Sequence, residues 1–515
     1  MRMWMVAAAV ILMSGMLGTF AVAMPLARLA TGSARGMTAD GVETFLGLPY
    51  AKPPIGPLRW RPPQPPTSWK GERAATAFAP ACPQRGVSMP GEPPPRMDED
   101  CLYLNVWTPT PRATGPMPVV VWIHGGGWTN GATALPLYAG DALARRGVVV
   151  VSIAYRLGAL GFLAHPELSR EDDGSSGDYG LMDQVAALRW IQRNIAAFGG
   201  DPQRVTIAGQ SAGAMSVSLL LASPDAAGLF HRAIAQSGGI FEPLELAPNY
   251  GLAEAEREGK AYAEKIGAPS LTQLRALPAE ALIGSEAPRV SHPVIGARVL
   301  PQSPYDAYHT ERWNRVPVLL GYNAEEAGSL VDLSSVRAAS FASDIARSWG
   351  PLPPALLAAY PNQDDAGARD ARAAFERDLR FGWDMWMWAR LQARAGAPAF
   401  LYRFVRRPPF PDGSPQDGWG PAHFAELWYM FGHLDQEPWG WTDADRRLSV
   451  TMLNLWANFA RSGDPNGPDL PPWPRFAEEH PQYLELDATV VAKPFDPGPL
   501  AAFDGVYAAF RRPTR

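Results

Sequence analysis

Cysteine is scarce in this chain. Only Cys82 and Cys101 occur in 515 residues, and neither has a second Cys or His at metal-ligand spacing, which argues against a zinc or cluster site. Strong charge is missing too. A net charge of −5 is small for this length, so composition gives no sign of a nucleic-acid partner or a basic membrane surface. No internal repeat and no low-complexity tract interrupts the chain, which excludes solenoids and disordered arrays. Beyond the first residues, no apolar run is long enough to span a bilayer. What is present is ordinary globular chemistry, with 47% hydrophobic and 19% charged residues, enough for a large core. Proline, by contrast, is plentiful at 53 residues and clusters in stretches such as KPPIGPLRWRPPQPP (52–66), which predicts long ordered loops over a core.

The N-terminus begins with Arg2, continues through an apolar stretch and reaches Ala21-Val22-Ala23. That order predicts a secretory signal peptide over residues 1–23, cleaved after Ala23. Ser14, Gly15, Gly18 and Thr19 break the apolar stretch and count against an uncleaved anchor. Export to a periplasmic or extracellular space follows, and there a single cysteine pair reads as one disulfide, Cys82–Cys101. Two buried free thiols remain the reading if the chain is not exported.

Apolar runs bounded by turn signals recur along the first half. PVVVWIHGGG (118–127) and GVVVVSIAYR (147–156) read as buried strands, and residues 179–200 show helical spacing closed by a glycine pair. RVTIAG, HRAIAQSG, VPVLLGYN and PAFLYRFV add strands, with helix-forming segments between them. Alternating strands and helices predict a doubly wound α/β sheet. Residues 24–515 read as one catalytic domain, and a helical block over about 338–396 reads as an insertion beside the active-site mouth. Its aromatic stripe, Phe375, Trp383 and Trp386 with Leu379, reads as packing and not as a ligand cage.

Two motifs carry chemistry. Gly209-Gln210-Ser211-Ala212-Gly213 joins a strand to a helix, and small residues on both sides of Ser211 suit a tight nucleophile elbow; alone, it could be a plain glycine-rich reversal. Upstream, His124-Gly125-Gly126-Gly127 follows another strand, and bare glycine amides can approach a substrate oxygen. Gly126, Gly127 and Ala212 are then the expected oxyanion donors. With FLGLPYAKPPIGPLRWRPPQP (45–65), EDCLYLNVW (99–107) and RAIAQSGG, these motifs make the chain resemble the type B carboxylesterase family over nearly its whole length.

That resemblance implies an α/β-hydrolase fold, ester hydrolysis, and no metal or organic cofactor. It picks His423 from GPAHFAELWYMFG (420–432) as the catalytic base, and leaves His433 as a loop or core residue. It picks Glu326 from LLGYNAEEAGS (319–329) as the triad acid, with Glu325 solvated. The order Ser211, Glu326, His423 is the one this fold uses. It also implies an ion pair between Glu99 and Arg156, and a buried Ser237 hydrogen-bonded near the triad. Gln210 and Ala327 depart from the family pattern without removing a catalytic group. Trp128 and Trp428, flanking the two motifs, are expected to line an apolar pocket for neutral short-to-medium acyl or aryl esters. The segment between Cys82 and Cys101 contains no Trp, Tyr or Phe, so it lacks the aromatic face with which cholinesterases hold a quaternary ammonium. A small-molecule ester is the expected partner, and a monomer the expected state. Two other readings stand beside this one: a specialised esterase of the same fold (tannase-like, feruloyl-type or toxin-detoxifying), and a non-catalytic adhesion protein.

Overall fold

The computed structural model describes residues 24–511 apart from 87–93, 285, 289, 291 and 351. The expected signal peptide and part of the segment between the cysteines lie outside the described residues. Near the N-terminus, β1 (Leu26–Leu29), β2 (Gly32–Arg35) and β5 (Glu72–Ala74) form a small sheet. The main sheet takes one half from β3 (Met37–Ala39), β4 (Val42–Pro49), β6 (Tyr103–Pro109), β7 (Met117–Ile123), β8 (Val149–Ile153) and β9 (Gly200–Gln210). The other half is β10 (Arg232–Gln236), β11 (Val318–Asn323), β12 (Ala399–Phe404), β13 (Gln482–Leu486) and β14 (Val491–Pro494). Their spatial order is β14-β13-β12-β11-β10-β9-β7-β8-β6-β4-β3. From β8 across to β13 every pairing is parallel, and the two margins are antiparallel. This is the mostly parallel α/β-hydrolase sheet.

The central strands explain themselves. Every residue of β7 (MPVVVWI) and β8 (VVVSI) is buried, as parallel strands covered by helices on both faces must be. The helix Tyr179–Asn194 covers one part of the sheet and ends in a short 3₁₀ turn closed by Gly199 in the left-handed region. Between β11 and β12 the chain leaves the sheet for four helices: Phe341–Trp349, Pro354–Leu357, Asp365–Arg377 and Trp383–Arg394. Residues 341–394 are thus largely helical.

Topology then locates the site. From β7 the chain goes to β8 on one side, and returns as β9 on the other side of β7. A reversal of winding opens a crevice at the carboxyl ends of the two strands involved. Here those ends are Ile123, just before the glycine run, and Gln210, just before Ser211.

Candidate active site

Ser211 has φ +58° and ψ −128°, a strained geometry that non-glycine residues adopt rarely. The elbow is held by bonds on both sides. Ser211 N–H donates to Gln236 C=O at 2.9 Å, and Met215 N–H starts the following helix, Ala212–Ala222, by donating to Ser211 C=O at 2.9 Å. Strand and helix nearly touch, so a Cβ on Gly209 would strike the Gly213 backbone, and one on Gly213 would strike Ile123 C=O. Only glycine fits at either place. Ser211 Oγ makes no hydrogen bond among the described residues.

His423 and Glu326 meet directly. His423 Nδ1 lies 2.6 Å from Glu326 Oε2, with both side chains almost fully buried. Glu326 Oε1 accepts from Ser237 Oγ at 2.6 Å and from Asn323 N–H at 2.7 Å, so the carboxylate is pinned from three directions. Phe381 stacks flat against the His423 ring, centroids 4.6 Å apart and planes at 10°. The Gln210 amide nitrogen sits 3.2–3.3 Å from both ring nitrogens. Glu325 is half exposed and pairs with Arg407 at the surface. His433 is buried against Leu137 C=O and Asp141, remote from this cluster in function.

A second carboxyl lies behind the first. Glu426 Oε2 accepts from Asn323 Nδ2 at 2.5 Å, and its Oε1 accepts from Gln236 Nε2 at 3.2 Å. Burial pushes it up to about 7, helped by the charge of Glu326. Nothing in the sequence reading singled it out, although it stands only three residues beyond His423.

The glycine run is shaped by its own neighbours. Gly126 (φ +104°) packs its Cα against Asn130, and Gly127 has φ +57°. The N–H groups of Gly126, Gly127 and Ala212 have no acceptor among the described residues. His124 is buried and stacked on Tyr155 at 4.5 Å; burial lowers it to about 4, so it stays neutral and structural. Gln84 clamps the loop, accepting from Gly131 N–H at 2.7 Å and donating to Gly131 C=O at 2.9 Å. Its neighbour Cys82 is bonded to Cys101, with S–S 2.00 Å, so the disulfide anchors the residue that braces the glycine run.

A cavity of about 600 Å³ brings these pieces together. Gly126, Gly127, Ser211, Ala212 and His423 all line it, as does Trp128. Trp128 is itself fixed, its Nε1 donating to Ser216 Oγ at 2.9 Å. Leu379, Arg380 and Phe381 line it from the insertion. They stand on a π-helical turn, Asp378–Gly382, which widens the helix between two α-helices at the point where it meets the cavity. A second cavity, about 560 Å³ behind Glu242, holds none of the catalytic candidates.

Two expectations are corrected. Trp428 does not line the cavity; it packs with Phe410 and Trp439, centroids 6.1 and 5.0 Å away, in the core beneath. Its short helix, Leu427–Met430, turns that side chain away, and Phe424 takes the place at the wall. Glu99 does not pair with Arg156. Arg156 forks onto Asp183 at 2.7 and 2.8 Å, while Glu99 is held by Arg59 at 2.6 and 2.8 Å. Asp183 projects from the buried helix Tyr179–Asn194 straight at Arg156 and takes its guanidinium in a two-pronged fork.

The chain that carries this site matches proteins of known family over most of its length. The sequence model of the carboxylesterase family matches residues 23–497. The chain belongs to the carboxylesterase family. It is 37% identical over 463 residues to the fumonisin B1 esterase of Sphingopyxis macrogoltabida, covering 87% of this chain and 83% of that one. It is 36% identical over 478 residues to the human cocaine esterase, covering 87% and 84%. A solved PNB esterase superposes with a TM-score of 0.77 at 33% identity, covering 91% of this chain and 97% of that one. The chain is accordingly a carboxylic-ester hydrolase. Among the described residues no group of three His, Cys, Asp or Glu side chains is placed to hold a metal ion, and no helix is long and apolar enough to cross a membrane.

Proposed function

We propose that this esterase works through a Ser211–His423–Glu326 triad and an acyl-enzyme. Ser211 Oγ attacks the ester carbonyl while His423 Nε2 takes its proton. The carbonyl oxygen becomes an oxyanion, and the free amides of Gly126, Gly127 and Ala212 stabilise it. His423 then passes its proton to the departing alcohol oxygen, leaving Ser211 acylated. Water repeats the sequence with His423 as base, releasing the carboxylic acid and restoring Ser211. Glu326 holds the Nδ1–H tautomer and steadies the imidazolium. The observation that carries this reading is the 2.6 Å His423–Glu326 contact, buried beside a cavity that Ser211 also lines.

Trp128, Met215 and Ile240 give this cavity apolar wall, which suits neutral acyl or aryl groups. Hydrolysis of p-nitrophenyl esters from acetate to dodecanoate, with Ser211→Ala as control, tests both points. Rates no higher than the control's would overturn the triad. The similarity to fumonisin B1 esterase favours a second reading, a specialised esterase with a narrow natural substrate; weak turnover across the whole panel would support it. The disulfide supports residence in an oxidising space, periplasmic or extracellular, after cleavage behind Ala23. Mass spectrometry of the mature chain should then find Met24 at the N-terminus.

A further inference from the structure

One end of the catalytic cavity is polar, and ester hydrolysis itself does not use it. Asp384, on the helix Trp383–Arg394, and Glu242, just after β10, both line that end. Asp384 is 5% exposed; its Oδ1 accepts from Phe241 N–H at 3.0 Å, and its other oxygen has no partner among the described residues. Glu242 Oε2 is buried and likewise unpartnered. Bonding to the Phe241 amide puts Asp384 beside Glu242, the next residue along.

Neighbouring buried carboxyl groups with no cation between them oppose each other's ionisation, so one of the two holds its proton more firmly. Burial raises both groups, and the charge of Glu242 raises Asp384 further, against the opposing pull of Arg511. Such a pair both donates and accepts hydrogen bonds, and keeps one negative charge. Arg511, whose Nη2 donates to Phe241 C=O at 2.7 Å, balances that charge from behind. At the mouth Arg380 adds positive charge, since its partner Glu376 is also used by Arg372. The cavity therefore has no net negative field to favour an ammonium. What complements a neutral site that both donates and accepts is a hydroxyl.

We propose that Glu242 and Asp384 form a subsite for a hydroxyl group of an uncharged ester, as in a partial ester of a polyol. The acyl chain then lies along Trp128, Met215 and Ile240. This rests on the ester-hydrolase reading of the same cavity. The test compares kcat/KM, by pH-stat, for glyceryl monobutyrate and propyl butyrate, which share an acyl group and differ in two hydroxyls. Wild type, Asp384→Ala and Glu242→Ala are measured, since an amide would still donate and accept, and one ill-folded variant leaves the other to decide. The ratio of the two esters should fall about tenfold in each variant, the size of one buried hydrogen bond. A ratio unchanged within about twofold in both variants overturns the subsite while leaving ester hydrolysis intact. A larger loss on 3-(dimethylamino)propyl butyrate than on the glyceryl ester also overturns it, since the pair would then be a cation site. Hydrolysis of neither butyrate by wild type would overturn the short-acyl reading of this cavity and the subsite with it, and would favour the narrow-substrate esterase.

Discussion

Replacing Glu426 with glutamine should reshape the pH dependence of stability. The carboxyl is completely buried behind Glu326, and its folded-state value is raised from 4.5 to about 7. A carboxyl raised in this way binds its proton more tightly in the folded chain than in the unfolded one. Its contribution to stability is therefore full below about pH 4.5 and is lost as pH rises through about 7. At 1.36 kcal/mol per unit the whole span is worth about 3 kcal/mol, of which about 2 kcal/mol falls between about pH 5.5 and 8.5. The glutamine variant has no proton to lose there. Its amide must face either Asn323 Nδ2 or Gln236 Nε2, both donors, which costs some stability at every pH. That offset is constant, so the slope isolates the titration. Reversible urea unfolding at several pH values supplies the assay. The variant should gain on wild type by about 2 kcal/mol across the window. In an additional Glu326→Gln background the wild-type midpoint should move to lower pH, because the neighbouring charge is gone. Parallel curves for wild type and Glu426→Gln would refute the reasoning outright.

Other expectations follow from the same contacts. Ser211→Ala and His423→Ala should each abolish turnover of a p-nitrophenyl ester while the far-ultraviolet spectrum stays unchanged, with the double variant little worse than either. Glu326→Gln should lose several orders of magnitude in kcat, whereas Glu325→Gln, at a surface pair with Arg407, should stay near wild type. Ser237→Ala removes one of two donors to Glu326 Oε1, so the urea midpoint should report a loss of about 2 kcal/mol. Replacing both cysteines with alanine should cost roughly 3 kcal/mol by chain entropy, and kcat should fall as well, because Gln84 braces the glycine run from beside Cys82. A neutral butyrate ester should be cleaved with higher kcat/KM than butyrylcholine, judged with leaving groups of similar acidity.

What could be read from the sequence was whatever depends on a few successive residues. β-branched runs such as VVVWI and VVVSI, bounded by turn signals, read as buried strands and are so, and glycines on both sides of Ser211 follow from a strand and helix in contact. Contacts made across the chain left no such trace. Sequence alone does not say which carboxylate meets Arg156; the fold decides it, aiming Asp183 of a buried helix at Arg156 and leaving Glu99 to Arg59. Trp428 sits five positions after His423, close enough in sequence to suggest a shared wall, yet a single helical turn sends it into the core while Phe424 stays at the cavity. The insertion shows the limit most sharply. A regular helix would turn Leu379, Arg380 and Phe381 to three different sides, so helical spacing gave no reason to group them. In the structure all three stand on the π turn Asp378–Gly382 and line the cavity, and Phe381 stacks on the His423 imidazole. Because that turn adds one residue to the helical register, spacing read along the sequence loses phase there, and this wall of the cavity is the part least visible in one dimension.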